Sequence, residues 1–181
     1  ELKFIQFGCL SPDGKLVAGI RASSKQIRLI KRETDEVVKT IELTGVFNFP
    51  LDIDWSPKGD KILFLMSEGR PGRNAIWTIK TDGTQQQKIF EETKSIFCPR
   101  WSQDGDYIYY LQSNEMTQDL MKLEVSPSTA DRVPKVIQTG LQAYGFSFTR
   151  DNKKLCYTKY NSFFNLWNFT YNERKFIFES K

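Results

Sequence analysis

Two carboxylates stand on one predicted strand with a spacing that could suit a metal ion. Asp52 and Asp54 alternate along Leu51-Asp52-Ile53-Asp54-Trp55, so both side chains point to the same face of the strand. Hard oxygen ligands of this kind can begin a calcium site, but such a site needs about six oxygens. The sequence supplies no companion cluster, and Arg100, in a matching run further along the chain, offers an ion pair instead. We therefore expect an ion pair or a water-filled channel here, and no metal or other cofactor.

A second candidate is the loop Ser67–Asn74, which carries Arg70 and Arg73 among glycines. Two arginines in such a loop could clamp a carboxylate or a phosphate through paired hydrogen bonds. The loop lacks the spacing of a phosphate-binding loop, and no Lys-Ser or Lys-Thr pair follows it. Two interpretations stay open at this point: a solvated surface loop, or a contact with a partner.

Composition excludes several kinds of active site. The 181 residues include no histidine, so the chain itself holds no Ser-His-Asp or Cys-His nucleophile and no histidine metal site. Cys9, Cys98 and Cys156 are far apart in apolar runs, which predicts small buried side chains and no disulfide framework. We expect no catalytic residue in this chain, which is accordingly predicted not to be an enzyme by itself.

Charge and hydropathy limit the kinds of partner that we expect for this chain. The 26 basic and 22 acidic residues give a net charge of +4, which is too balanced to indicate nucleic-acid binding. No run of about 18 apolar residues occurs, so we expect no membrane span. The chain begins at Glu1, from which we expect a processed product or a cut chain. A periplasmic and a cytoplasmic location both fit this sequence.

A repeated turn must position all these residues. The run Trp55-Ser56-Pro57-Lys58-Gly59-Asp60 recurs at 10–15, 101–106 and, in altered form, 148–153. A steady period of 45 to 47 residues is typical of repeat proteins, and it separates the four equivalent turn residues Gly14, Gly59, Gly105 and Asn152. Asp-Gly between apolar runs is a strong hairpin signal. The sequence therefore predicts four repeats of four short strands, A to D. The turn carboxylates of Asp13, Asp104 and Asp151 are expected to bond their own turn amides.

The run Asn114–Leu123 allows two interpretations. Met116, Leu120 and Leu123 would share one side of a short helix, but the repeat alignment places strand C in the second half of this run. We favour the strand, because about ten residues are marginal evidence for a helix.

The repeat resembles the TolB-type β-propeller repeat. That pattern runs Trp-Ser-Pro-Asp-Gly-Lys, then an apolar strand, then a strand similar to Ile76-Trp77-Thr78-Ile79. Leu10 departs from it in the first repeat, as do Arg150 and Asn152 in the fourth. The resemblance implies an all-β fold: a single β-propeller region of four-stranded antiparallel blades, four in this chain, at about 4–43, 49–92, 97–139 and 144–180.

Propellers of this kind commonly have about six to eight blades, so we expect this chain to be part of a larger ring. A closed four-bladed ring is the alternative. An incomplete ring would expose apolar faces on its end blades, so self-association through those blades is a further expectation. Trp55, at the repeat turn of the second unit, is expected to pack between blades.

The resemblance also implies where function lies. Strand A lines the centre, the repeat turns share one rim, and the loops that vary between repeats share the other. We expect that variable rim to bind a protein or peptide through aromatic and arginine anchors, namely Phe47, Phe49, Arg70, Arg73, Phe97, Arg100 and Tyr144. The expected function is a non-catalytic binding scaffold or sensor module of a bacterial protein. The alternative is a propeller that gates a prolyl-oligopeptidase-like serine peptidase, whose catalytic domain lies outside this chain.

Overall fold

The computed structural model describes residues 5–21, 25–45, 50–67, 74–125, 132–149, 151, 154–159, 169–172 and 175–178. All regular secondary structure in these ranges is β-strand, which confirms the all-β prediction. No helix in the described ranges is long and apolar enough to cross a membrane.

The first three repeats each fold into a four-stranded antiparallel sheet whose strands neighbour one another in chain order. Blade 1 comprises β1 (Phe7–Leu10), β2 (Leu16–Ile20), β3 (Gln26–Lys31) and β4 (Val37–Glu42). Blade 2 comprises β5 (Pro50–Trp55), β6 (Lys61–Ser67), β7 (Asn74–Lys80) and β8 (Gln87–Glu92). Blade 3 comprises β9 (Ile96–Trp101), β10 (Tyr107–Asn114), β11 (Thr117–Glu124) and β12 (Lys135–Leu141).

The fourth repeat is described as two separate pairs of antiparallel strands. The inner pair is β13 (Ala143–Phe148) with β14 (Leu155–Lys159), and the outer pair is β15 (Phe169–Asn172) with β16 (Lys175–Phe178). In the third repeat, the run Asn114–Leu123 is the end of β10, a tight turn and most of β11. The strand interpretation of that run is therefore confirmed.

A serine hydroxyl closes each of the first three repeat turns. In blade 2, Ser56 Oγ accepts the N–H of Lys61 at 3.1 Å, and the Ser56 hydroxyl donates to Asp60 Oδ1 at 2.8 Å. Lys58 occupies the place where the other repeats have an aspartate, so Asp60 takes over the carboxylate's role in this blade. Because the Ser56 hydroxyl accepts the N–H of Lys61, Ser56 can be buried without leaving that backbone amide unpaired.

The turn carboxylates of blades 1 and 3 bond their own turn amides, as predicted. Asp13 Oδ1 accepts the N–H of Lys15, and Asp104 Oδ1 accepts the N–H of Asp106, each at 3.1 Å. These aspartates therefore stabilise the turn rather than offering ligands to a partner. The third turn carboxylate, Asp151, accepts a hydrogen bond from the hydroxyl of Thr149.

Gly59 has a backbone conformation that other residues adopt only with strain. Its φ is +75°, and an added Cβ would meet only Pro12, at 3.9 Å. Gly59→Val should therefore lower the free energy of unfolding through backbone strain alone, by about 1–3 kcal/mol. Urea denaturation measures this, with Lys58→Val, at the exposed neighbouring position, as the matched control. Equal losses in the two variants would contradict the strain argument.

The second strand of blade 2 lies at the centre of the core. All five residues of the run Ile62–Met66 are 0–1% exposed, as the unbroken apolar pattern predicts for a strand covered on both faces. Ile62, Phe64 and Met66 pack toward blade 1, whereas Leu63 and Leu65 pack toward blade 3. The core is thus a series of interfaces between successive blades.

The tryptophans of the second and third repeat turns lie in these interfaces, as predicted for Trp55. Trp55 belongs to the core between blades 1 and 2, and Trp101 to the core between blades 2 and 3. The inner strands β1, β5, β9 and β13 adjoin one another in that order. The described blades are therefore arranged side by side with strand A of each at the centre, which is the arrangement of a β-propeller.

The two end blades differ from this scheme. Cys156 in β14 is exposed, so its predicted burial is wrong. Its side chain lies on the face of blade 4 that points away from blade 3, and no described blade covers that face. In blade 1, Gly19 occupies the position that carries Phe64 in blade 2. Ile5 fills the space, since a Cβ on Gly19 would stand 2.3 Å from Ile5 Cδ1.

Candidate functional site

The candidate site lies where the inner strands of blades 2, 3 and 4 adjoin. Asp52 and Cys98 each stand seven residues before the glycine of their repeat turn, and Asp54 and Arg100 each stand five residues before it. The repeats therefore place these four side chains at two matching levels of neighbouring strands, β5 and β9. Because the A strands of the described blades adjoin one another, the four residues lie on the inner strands of the blades.

Arg100 is paired with Asp52 across the interface between blades 2 and 3. Its Nη1 donates to Asp52 Oδ2 at 2.9 Å and also to the carbonyl oxygen of Pro99 at 2.8 Å. The Asp52 side chain is 16% exposed and that of Arg100 is 31% exposed, so the pair is only partly accessible to water. The ion pair predicted at this strand is confirmed.

Asp54 binds the same neighbouring strand through the backbone. Its Oδ2 accepts the N–H of Trp101 at 2.8 Å. Desolvation raises the pKa of the half-buried carboxyl to about 6, although the bond from Trp101 and the charge of Arg100 act in the opposite direction. Asp54 therefore changes its charge in mildly acidic solution, unlike an ordinary aspartate.

A strained cysteine joins blade 3 to blade 4 at the same level. Cys98 has a φ of +48°, which is uncommon for a residue with a side chain, and it lies in a bulge of β9 against β10. Its thiol donates to the carbonyl oxygen of Tyr144 at 3.2 Å. Burial, and next the Asp52 carboxylate, raise the pKa of the Cys98 thiol, so it is poorly suited to act as a nucleophile.

Two aromatic side chains are exposed beside this contact. Phe97 precedes Cys98 and is 37% exposed, and Tyr144 is 74% exposed. The sequence placed both in loops, but they lie within β9 and β13. Each strand carries a bulge next to the aromatic residue, and a bulge redirects side chains that regular pleating would turn inward. Phe97 and Tyr144 thus stand at equivalent places of neighbouring inner strands.

The four side chains of the candidate site are not arranged as metal ligands. Among the described residues, no group of three or more Cys, Asp or Glu side chains is placed to hold a metal ion. Asp52 and Asp54 turn their oxygens toward Arg100 and the Trp101 amide, which explains why two alternating carboxylates form no ligand set. Burial, and next the Asp54 carboxylate, raise the pKa of the Cys9 thiol far above its usual range, so this thiol stays protonated.

Phe97 and Tyr144 flank the contact between blades 3 and 4, whereas Arg100 pairs with Asp52 between blades 2 and 3. Phe47, Phe49, Arg70 and Arg73 lie outside the described residues. Sequence reasoning missed the part played by Cys98, which it had assigned to the core. The repeat alignment contained the signal, since Cys98 occupies the position of Asp52 and is followed by Pro99, an unusual neighbour for an inner strand.

Comparison with known proteins adds a distant sequence relative. No family model matches the chain. Dipeptidyl-peptidase 5 from Porphyromonas endodontalis is 25% identical over 129 residues, which are 69% of this chain and 17% of that protein. The chain therefore spans only a small part of the curated relative that it matches.

Solved structures share the fold. TolB from Acinetobacter baumannii is similar with a TM-score of 0.61 and 18% identity, over 96% of this chain and 42% of that one. A chain of the nidogen/laminin complex gives a TM-score of 0.65 at 18% identity, over 86% and 56%. A candidate 6-phosphogluconolactonase from Bacteroides uniformis gives 0.60 at 19%, over 97% and 52%. At these identities the likeness concerns the fold alone: this chain has a β-propeller fold, which it shares with TolB, and spans about half the length of these structures.

Proposed function

We propose that this chain is a non-catalytic binding module that recognises a protein or peptide at the mouth of the propeller channel. The observation that carries the proposal is the pair of exposed aromatic residues, Phe97 and Tyr144, at bulges of adjacent inner strands. Aromatic and arginine side chains are the types that anchor protein interfaces. Arg100 lies three residues beyond Phe97 and is partly exposed.

The rigid setting of these side chains supports recognition. They stand on strands of a packed core rather than on free loops, so little conformational freedom is lost when a partner binds. Phe47, Phe49, Arg70 and Arg73 belong to the segments that vary between repeats, and we include them in the proposed surface. All four are proposed from the sequence alone.

Alanine at the two aromatic positions tests the proposal. A phage-displayed library of random peptides would be selected on the wild-type chain, and the enriched peptides measured against the Phe97→Ala/Tyr144→Ala variant. We expect about tenfold weaker binding or more, because truncated anchor residues cost the most at interfaces. Thermal unfolding should change little, since both side chains are exposed.

The matched control is Tyr157→Ala, another exposed tyrosine, on the second strand of blade 4. It should leave peptide binding unchanged. Peptides that bind the double variant as well as the wild type would contradict the proposed surface, as would a library that yields no binder.

The second candidate function is gating of a peptidase. The match to Dipeptidyl-peptidase 5 favours it, because a propeller beside a serine peptidase domain could filter access to the active site. Since this chain has no histidine, the catalytic triad would have to lie on another domain. The full-length gene product tests this: a Gly-x-Ser-x-Gly motif in a linked domain, together with release of dipeptides, is expected. A full-length product without peptidase activity would contradict it.

A further inference from the structure

Among the described residues, Arg100 donates hydrogen bonds through one terminal nitrogen only. Nη1 makes both recorded hydrogen bonds, to Asp52 Oδ2 at 2.9 Å and to the carbonyl oxygen of Pro99 at 2.8 Å. Within the described part of the chain, Nε and Nη2 donate no hydrogen bond, and the side chain keeps 31% of its surface exposed. The Nε–Nη2 edge is a planar pair of donors that matches a carboxylate in two parallel bonds.

The carboxylates around Arg100 already have partners on the protein. Asp52 Oδ1 accepts the N–H of Ile53 at 2.8 Å, and its Oδ2 accepts from Arg100. Asp54 Oδ2 accepts the N–H of Trp101. The cluster therefore offers a ligand donor groups from Arg100 rather than carboxylate oxygens, and the ligand that fits donors on a permanent cation is an anion.

The charge of Asp54 opposes such a ligand. With Asp52 and Asp54 both ionised, the cluster of two carboxylates and Arg100 carries a net charge of −1. Protonation of Asp54 removes that excess charge. Among the described residues, the groups that face Asp54 are Asp52 on its own strand, Arg100 on β9 and the thiol of Cys9 on β1. Arg100 and Cys9 keep their protons in neutral and mildly acidic solution, since the pKa of each is raised.

We propose that the Nε–Nη2 edge of Arg100 binds a carboxylate of the partner, and that the charge on Asp54 sets the strength of that binding. The inference rests on the proposed function, because Phe97 and Tyr144 would hold the neighbouring part of the same partner. A peptide C-terminus and an Asp or Glu side chain share the required chemistry. Binding should tighten in mildly acidic solution, because the peptide carboxylate stays ionised while Asp54 gains a proton.

Three short peptides test the proposal on the intact chain. They are acetyl-Gly-Phe-Gly with a free C-terminus, the same peptide as its C-terminal amide, and acetyl-Gly-Phe-Glu as its amide. Nuclear magnetic resonance of the 15N-labelled protein would follow the Nε–H signal of Arg100, assigned with Arg100→Lys. We expect the free acid or the glutamyl peptide to move this signal and the first amide to leave it in place, and the arm that responds identifies the source of the carboxylate.

The pH dependence separates the two parts of the proposal. Binding of the responding peptide should be about fivefold tighter at pH 5.5 than at pH 7.5, the effect of one unit charge at short range in a partly exposed site. Asp54→Asn should bind tightly at both pH values. A fivefold pH effect that survives in Asp54→Asn would overturn the role of Asp54.

Other outcomes distinguish this inference from the proposed function. If the acid and the amide peptides bind equally and shift only signals near Phe97 and Tyr144, the carboxylate site is wrong and the aromatic surface stands. If neither carboxylate peptide moves the Arg100 signal while displayed peptides still need the two aromatic residues, the same conclusion follows. Loss of both effects overturns both proposals.

Discussion

Replacing Phe64 by alanine should lower the free energy of unfolding by about 3–5 kcal/mol. Phe64 is 0% exposed and packs in the core between blades 1 and 2, with its ring stacked near that of Trp77 at a centroid distance of 6.5 Å. Truncation removes buried apolar surface and leaves a cavity that the flanking blades cannot fill without losing other contacts. Urea denaturation monitored by tryptophan fluorescence measures the loss.

The control for this substitution is Val38→Ala on the outer strand of blade 1. Val38 is 43% exposed, so its truncation should change stability by less than about 0.5 kcal/mol. A loss below about 1 kcal/mol for Phe64→Ala would mean that the interface between blades 1 and 2 is not a close-packed core.

Asp54→Asn should remove a pH dependence of stability. The folded protein raises the pKa of Asp54 from 3.8 to about 6, so it binds the proton more tightly than the unfolded chain does. The stabilisation by the protonated form is fully present below about pH 4 and is lost as the pH rises through 6. The wild type should therefore be less stable at pH 7.5 than at pH 4 by about 2 kcal/mol from this group.

Asparagine keeps an oxygen for the Trp101 amide and carries no charge, so this part of the profile should become flat. Urea denaturation from pH 4 to 7.5 compares the two chains. Asp52→Asn is the contrasting variant: it deprives Arg100 of its ionic partner and should lower stability at neutral pH. An unchanged profile in Asp54→Asn would assign the pH dependence to another group.

The repeat made most of the fold predictable from sequence. A turn that recurs at a steady period fixes the register of every strand beside it, which is why β10 and β11 were placed correctly although Asn114–Leu123 also suits a helix. The buried run Ile62–Met66 followed from its unbroken apolar pattern for the same reason. Both inferences used the spacing of residues along the chain, and the folded structure keeps that spacing within each strand and turn.

The site was predictable only in part, because its geometry depends on departures from the repeat. The pairing of Arg100 with Asp52 could be anticipated from opposite charges at matching positions. The strained conformation of Cys98 and its contact with Tyr144 could not, because a bulge shifts the strand by one residue and leaves no mark on the apolar pattern. For the same reason Phe97 was expected in a loop and lies in β9.

The packing of the repeat turns bears on how such a protein can change in size. A Cβ on Gly105 would stand 3.4 Å from Pro57 Cγ, and Pro12 lies in the same relation to Gly59. The first and second turns thus each present a proline to the glycine of the next turn. A gene duplication that inserts a copy of the second repeat brings both halves of this contact with it, because that repeat contains Pro57 and Gly59. Propellers built this way can gain or lose a blade in evolution without inventing a new junction.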